Sequence, residues 1–483
     1  GMQIDFPAPV GKLEHHYQPL KVVSYSGAVN NSDVQIEYSD IFNAKLQINS
    51  DKKLHSINLH VGEGQIPDNS EPGLFISGDA DSLVATQWWN VIKERTVDKT
   101  RPSNVVLKSG VNIDLQVGSL ELLNHQFPEV SLKIRRPEQN WQFHLQGEDI
   151  SGDINIPVDL SNNNVISFQL DNLNMNETQR KPGPANTNKL DPKDIPAISG
   201  TVADFIYNNF ELGKMEIDTL PITKGLSIEK IAFSKPKLNI IGSGNWTGKE
   251  TIDSSSFEIE LHAENMEAML TTFDYNQAPV KKGETNLHLK ADWQGTPMDF
   301  SLEGMNGSLK MQTSKGHILD VNPSAGRLFS LFSLQTLSRR LTLDFSDIFG
   351  KGLAFDKIEG SFSIDNGNAY TNDLYIQGPA ADVSISGRTG LSEQDYDQVV
   401  TVTPQFSDNL PVAGVLLGPV GISIGAVFYL AGQIFDSIHG NINKLLRYQY
   451  TITGSWNEPV IEKIKNKKNE RQLSEAVGMT SHP

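Results

Sequence analysis

The side chains that could do chemistry are scattered along the chain rather than clustered. Among eleven histidines, His15 and His16 are adjacent, but neighbours in an extended strand point to opposite faces, so this pair is not expected to share a metal. Two acidic pairs could ligate a cation, although turn and helix-cap roles explain them better: Asp79 with Asp81, and Asp395 with Asp397. The chain has no cysteine, which excludes disulfides, thiolate metal sites and a cysteine nucleophile.

Known catalytic and cofactor motifs are also missing from the sequence. It contains no Walker loop, no His-Glu-x-x-His pair and no Gly-x-Gly-x-x-Gly after a strand. We therefore predict no catalytic residues, no metal and no cofactor. The formal charge of −17 repels polyanions at long range, so nucleic acid is not an expected partner.

Most of the chain alternates apolar and polar residues with a period of two. Val111, Ile113, Leu115 and Val117, for example, are separated by polar residues, and similar runs recur between turn residues. Each run has one apolar and one polar face, which is typical of antiparallel sheets with one wet side. The sequence therefore predicts a mainly β protein.

A few short amphipathic helices are predicted among these strands. One lies near 81–92, a second follows Leu261, and a third lies near 323–337, where Asn322 is the cap and Pro323 occupies the first helical position. The second helix is expected to turn a packing stripe inward, consisting of Met266, Met269, Leu270 and Phe273.

Three tryptophans, Trp246, Trp293 and Trp456, each stand at the end of a strand and precede a turn. A large ring at that position can cover the open end of an apolar face, so we expect a structural role for all three.

The segment Asn409–Phe435 has no charged residue and is long enough to suggest a membrane span. Pro419 and five glycines make it a poor single helix and divide it into two arms, each too short to cross a bilayer. We predict a bent helical hairpin, within helices near 411–446, that covers or plugs one end of the apolar surface beside the Ala325–Leu337 helix. It could also contact a membrane interface.

Composition changes suggest four segments. They are a β-rich segment over 1–173, a linker or loop over 174–196, a β domain over 197–462, and a polar tail over 463–483 that is expected to be disordered. Gly1 resembles a tag remnant, so we expect the chain to be a fragment of a larger protein, with any targeting or anchoring segment lying upstream of it.

Several motifs in the second half resemble the AsmA-like envelope proteins, and more closely their long YhdP type. The similarity covers about Leu261 to Ile461 and is looser elsewhere. It is carried by Gly304-Met-Asn-Gly, Pro323-Ser-Ala-Gly-Arg327, Leu341-Thr-Leu-Asp-Phe345, Gly387-Arg-Thr-Gly and Tyr450-Thr-Ile-Thr-Gly-Ser-Trp456-Asn-Glu-Pro459.

This resemblance implies an elongated, curled antiparallel β-sheet that encloses a hydrophobic groove. It also implies a periplasmic protein anchored in the inner membrane of a Gram-negative envelope. Such a protein would carry phospholipid between the inner and outer membranes without catalysis and would support outer-membrane integrity. The partners would be phospholipid acyl chains and the two membranes.

Physical chemistry explains why such transport needs an apolar lining. A diacyl lipid in water exposes on the order of 30 methylenes at about 0.8 kcal/mol each, roughly 25 kcal/mol in total. Two other functions stay open: a scaffold of the envelope, which would bury the same side chains, and a hydrolase or carbohydrate-binding protein, which would need a polar cleft.

Under the lipid hypothesis, apolar residues of the second half would contact lipid in the groove or its end cap. These residues are Leu328, Phe329, Leu331, Phe332, Leu341, Leu343, Phe345, Phe362, Ile364, Val383, Ile385, Val415, Leu416, Leu417, Ile422, Val427, Phe428 and Leu430.

Overall fold

In a computed structural model the chain is mainly β, as the sequence predicts. Contacts divide it into two compact units, Gly1–Phe233 and Ser234–Pro483, a division later in the chain than the predicted loop at 174–196. The structure describes residues 2–3, 19–28, 31–38, 41–51, 53–67, 69–85, 87–88, 110–122, 125–137, 139–160, 164–176, 191–248, 253–273, 280–318, 353–379, 381–404 and 448–464.

The described part of the first unit consists of strands, one 3-10 turn at Pro192–Asp194, and the helical residues Ala85, Gln87 and Trp88. The last strand, β14, contains the point of division between the units. The strands are β1 (Met2–Gln3), β2 (Pro19–Ala28), β3 (Asn31–Tyr38), β4 (Phe42–Ile48), β5 (Leu54–Val61), β6 (Gly73–Val84), β7 (Val111–Leu122), β8 (His125–Arg135), β9 (Asn140–Gln146), β10 (Ile150–Pro157), β11 (Ile166–Met175), β12 (Ile198–Tyr207), β13 (Phe210–Ile222) and β14 (Gly225–Lys235).

From β1 to β13 each strand pairs with the next one along the chain, which gives a single open, curled layer. The sheet is mixed, because β5–β6, β6–β7 and β11–β12 are parallel pairs. Parallel neighbours need a long connection. The three pairs are joined by the long segments 62–72, 85–110 and 176–197, so the predicted loop connects two paired strands of one sheet.

The described strands of the second unit also form one layer, and all their pairs are antiparallel. The order is β15-β16-β18-β19-β20-β21-β22-β23-β24-β25, and the short β17 pairs with β19 beyond the end of β18. The bounds are β15 (Leu238–Thr247), β16 (Ser254–Ala263), β17 (Val280–Lys282), β18 (Thr285–Gln294), β19 (Asn306–Ile318), β20 (Leu353–Asp365), β21 (Asn368–Gln377), β22 (Ala381–Gly390), β23 (Asp395–Pro404), β24 (Tyr448–Ser455) and β25 (Pro459–Lys463).

The predicted helix after Leu261 is present as α1 (Met266–Thr272). Its cap is Asn265, whose side-chain oxygen accepts a 2.8 Å hydrogen bond from the backbone N–H of Ala268. Its apolar side packs on the sheet, with Met266 and Leu270 buried. A 3-10 turn, Pro297–Asp299, lies in the connection from β18 to β19.

The predicted helix near 81–92 begins later than expected. Strand β6 continues to Val84, and the helical residues described here are Ala85, Gln87 and Trp88. The reason is sheet pairing: the segment 79–84 pairs in parallel with β7, which overrides the capping signal of Asp79 and Asp81.

Several predictions fall outside the described residues. They are the helices near 323–337 and 411–446 and the tail beyond Ile464. Within the residues that are described, no helix has the length and apolar character needed to span a membrane.

Candidate functional site

A continuous row of apolar residues crosses the sheet of the first unit. The row, called here the long row, takes one residue from each strand between β3 and β13, and each member is the direct cross-strand partner of the next. Most members are half-buried, so this strip remains partly accessible. It consists of Ile36, Ala44, Leu59, Ile76, Ile113, Ile134, Phe143, Ile154, Phe168, Gly200 and Ile217.

A second row on the same face is more deeply buried. It lies two residues along each strand from the long row and belongs to the core cluster of the unit. Its exposure ranges from 0 to 8%, although the strands form a single layer. In a flat single layer this face would be exposed to solvent. Because the sheet is curled, the second row is buried, whereas the long row beside it is only half-buried. This buried row consists of Leu115, Leu132, Leu145, Gly152, Leu170, Val202 and Met215.

Glycine allows a close approach within the long row. A Cβ atom built on Gly200 would lie 2.5 Å from the ring of Phe168, its partner on β11. The aromatic ring therefore lies across the glycine and keeps the apolar surface continuous at a position that has no side chain.

In the second unit two further rows run from β20 to β24 and from β21 to β25, and we call them together the β20–β25 face. Members between β20 and β23 are 0 to 5% exposed. The first row is Ile358, Ile376, Val383, Val402 and Tyr448. The second row is Leu374, Ile385, Val400, Tyr450 and Lys463.

Four of the predicted lipid-contacting residues lie among the described residues: Phe362, Ile364, Val383 and Ile385. All four are buried, at 3%, 6%, 0% and 1% exposure. Val383 and Ile385 belong to the β20–β25 face, and Phe362 is the cross-strand partner of Leu309. The other predicted positions lie outside the described residues: Leu328, Phe329, Leu331, Phe332, Leu341, Leu343, Phe345, Val415, Leu416, Leu417, Ile422, Val427, Phe428 and Leu430.

The tryptophans occupy strand ends. Trp293 stacks on Phe257 with ring centroids 5.3 Å apart and meets Phe300 edge-on at 5.2 Å. The indole N–H groups find partners: that of Trp293 donates to the Thr296 carbonyl at 2.9 Å, and that of Trp456 to a backbone carbonyl of β23 at 3.1 Å. These contacts tie strand ends to their turns.

In each unit, charged residues lie on the face of the sheet opposite the apolar rows, which we call the wet face. The Glu216 carboxylate lies 2.6 Å from the Lys214 ammonium and 2.5 Å from that of Lys230, and hydrogen bonds from these lysines lower the pKa of Glu216 to about 2. On β22 and β23, Arg388 holds Asp395 through two hydrogen bonds of 2.8 and 2.6 Å. Asp395 is therefore an ion-pair partner, and the described residues contain no cluster of three or more potential metal ligands.

The wet face of the second unit also contains an open groove of about 790 Å³, whose lining mixes polar and apolar surface. Its lining includes Glu260, His262, Glu359 and Asp373. At Asp373 burial alone would raise the pKa of the carboxyl, but hydrogen bonds from Ser361 and others outweigh it, and the pKa is lowered. This carboxylate therefore stays ionised and is unsuited to act as a general acid.

A few polar groups are buried on the apolar faces, and most are satisfied by each other. The hydroxyls of Thr285 and Thr313 lie 3.2 Å apart, and the Gln398 amide donates to the Thr389 hydroxyl at 2.7 Å. Tyr450 differs, because its hydroxyl has no hydrogen-bond partner in the part of the chain that the structure describes. Burial, with a smaller contribution from neighbouring Tyr448, raises the pKa of Tyr450 to about 12, so the group is a neutral hydroxyl.

The sequence is similar to known proteins of one family. The sequence matches the profile of the family described as YhdP protein over residues 1–461. It is 27% identical over 249 residues to the "Intermembrane phospholipid transporter YhdP" of Escherichia coli strain K12. That match covers 51% of this chain and 19% of the relative, so the chain corresponds to a fraction of the relative's length. No solved structure shows a significant match.

Proposed function

The chain belongs to the YhdP protein family, and from this premise we propose that it moves phospholipid between membranes without catalysis, with acyl chains held on its apolar sheet faces. The long row is the observation that carries the proposal. Ten strand spacings of about 4.8 Å give it a contour of roughly 48 Å, longer than the ~30 Å hydrocarbon core of a bilayer. A tail can therefore lie anywhere along the row and still contact apolar side chains.

Because the long row is only partly buried, we infer that its side chains can bind a lipid tail and release it again. Extended apolar patches are uncommon on monomeric proteins unless they bind something. A tail on this row is partly removed from water, which offsets part of the roughly 25 kcal/mol that a free diacyl lipid would meet. The row binds by shape and apolarity alone, so tails of different length fit equally.

The proposed setting is the periplasm of a Gram-negative envelope. There the protein would be anchored in the inner membrane, would take up phospholipid acyl chains, and would support outer-membrane integrity. The buried residues Phe362, Ile364, Val383 and Ile385 are proposed to line the groove in the second unit.

Site-specific crosslinking tests this proposal on the whole chain. A photoreactive amino acid is placed at Ile134, on the long row, and in a matched variant at Lys133, the next residue, which faces the wet side. After illumination with phospholipid vesicles, mass spectrometry should find phospholipid attached at position 134 and little at 133. Equal labelling at both positions, or none at either, would contradict transport along this face.

A second function, an envelope scaffold without lipid conduction, is favoured by one observation. The β20–β25 face is already closed, with Leu374, Val383 and Val400 fully buried. A scaffold would keep these contacts permanently. Phospholipid that co-purifies with the chain and is detected by native mass spectrometry would favour transport, whereas a chain that is always free of lipid would favour the scaffold.

A further inference from the structure

The second row of the β20–β25 face changes its chemistry along its length. It starts with Leu374, Ile385 and Val400, which are 0%, 1% and 0% exposed, continues to Tyr450 at 2%, and ends at the exposed Lys463. Directly opposed residues in an antiparallel pair point to the same side of the sheet. The apolar row therefore leads through a hydroxyl to an ammonium group.

The Tyr450 hydroxyl is buried and has no hydrogen-bond partner among the described residues. A buried polar group without a hydrogen bond is costly, and most such groups in proteins are paired. Only the hydroxyl distinguishes tyrosine from phenylalanine, which would fill the same space without that cost. Its pKa is raised by burial, so at neutral pH the hydroxyl remains protonated and can donate.

Lys463 adds positive charge at the same end. It is the cross-strand partner of Tyr450, and its ammonium lies 5.0 Å from the ring centroid of Tyr448. Tyr448 is two residues from Tyr450 on the same strand and therefore shares its face. The Tyr450 hydroxyl and the Lys463 ammonium are thus two hydrogen-bond donors at one end of the row.

We propose that this end of the β20–β25 face binds the phosphate of a phospholipid whose tail lies along the row. This rests on the proposed function and deepens it. Tyr450 would donate a hydrogen bond to a phosphate oxygen, and Lys463 would neutralise its charge. Three strand spacings, about 14 Å, separate Leu374 from Tyr450, close to the half-thickness of a bilayer's hydrocarbon core. The tail would enter at the exposed Lys463 end and the phosphate would stay there, so that no charged group crosses the buried apolar row.

The test compares two lipids with identical tails, dioleoyl phosphatidylglycerol and dioleoylglycerol, on the whole chain by native mass spectrometry. The wild type should prefer the phospholipid. Tyr450→Phe should reduce that preference about fivefold, as expected for one hydrogen bond, and Lys463→Gln about tenfold, as expected for a charge-assisted contact. Binding of dioleoylglycerol should not change. Matched controls on the wet face, Tyr375→Phe and Lys310→Gln, should keep the full preference.

The outcomes separate this site from the function it rests on. If the wild type binds both lipids equally, or if the two variants keep the preference, the phosphate site is wrong while lipid transport stands. If the wild type binds neither lipid, the proposed function fails and this site fails with it. Inorganic phosphate at the lipid concentration should not displace the phospholipid; displacement would assign the site to free phosphate and overturn the lipid assignment.

Discussion

A single charge in the middle of the long row should weaken lipid binding more than the same charge one residue away. Ile154 lies between Phe143 and Phe168 on the row, whereas Asn155 is on the opposite face between Gln142 and Ser167. We expect Ile154→Asp to interrupt the apolar path and Asn155→Asp to leave it intact. Both substitutions add one negative charge to one strand, so they differ in the face that carries it.

The size of the effect follows from the strand spacing. A hydrated carboxylate would exclude a tail from about one spacing of 4.8 Å, so on the order of four methylenes would lose contact at about 0.8 kcal/mol each. Because Ile154 is only half-buried, part of this contact is already with water, which leaves about 2 to 3 kcal/mol. This corresponds to roughly a 30- to 150-fold weaker affinity.

The assay is transfer of a fluorescent phospholipid from vesicles to the purified chain, with the dissociation constant measured for wild type and both variants. Far-ultraviolet circular dichroism and a thermal midpoint verify that each variant is folded. The reasoning is refuted if folded Ile154→Asp binds within threefold of the wild type. It is also refuted if the Asn155→Asp variant loses as much affinity as Ile154→Asp.

Three further predictions concern stability. The Glu216→Gln variant should have a slightly lower melting temperature than the wild type at pH 7. Because the pKa of Glu216 in the folded protein is about 2, below its ordinary 4.5, this difference should persist above pH 4.5 and vanish as the pH falls toward 2. A difference in melting temperature that does not depend on pH would contradict this prediction. Asn265→Ala should lower the free energy of unfolding by about 1 kcal/mol in urea titrations, since it removes the cap of α1, and no change would exclude that cap. Gly200→Val should lower the free energy of unfolding by about 1 to 3 kcal/mol, because the Phe168 ring must move to make room for the new side chain. Gly304→Ala is the control: its new Cβ atom would have its nearest neighbour 3.5 Å away, so the same titration should show little change.

Local alternation was enough to predict strands and their faces. The pattern of Val111, Leu115 and Val117 predicts β7 and its buried side, and all three residues are buried. Parallel pairing could not be predicted in this way, because it depends on long connections rather than on the period of a strand. The same limit explains the error at Asp81, where pairing with β7 prolongs the strand through residues that otherwise suggest a helix start.

The proposed phosphate site at the end of the β20–β25 face could not be predicted from the sequence. Periodicity nominated Val383 and Ile385, because both lie in a run of alternating residues. Tyr450 and Lys463 are on different strands, and only the register of β24 with β25 places them opposite each other. The orphaned hydroxyl is likewise a property of the folded surroundings and has no signal in the residue type.

The closed state of the β20–β25 face is compatible with transport if protein contacts and lipid contacts are interchangeable. Burial of Leu374 or Val400 by other apolar atoms gives nearly the same hydrophobic free energy whether those atoms belong to the protein or to an acyl chain, because the effect depends on the area removed from water. Exchange of one cover for the other then has a small net free-energy change, so neither the closed state nor the lipid-bound state is strongly favoured. If the face bound lipid tails far more tightly than the protein atoms that cover it, it would not release lipid. If it bound tails far more weakly than those atoms, it would not take up lipid. We therefore expect polar contacts at the row ends, rather than the apolar residues between them, to decide which lipid is carried.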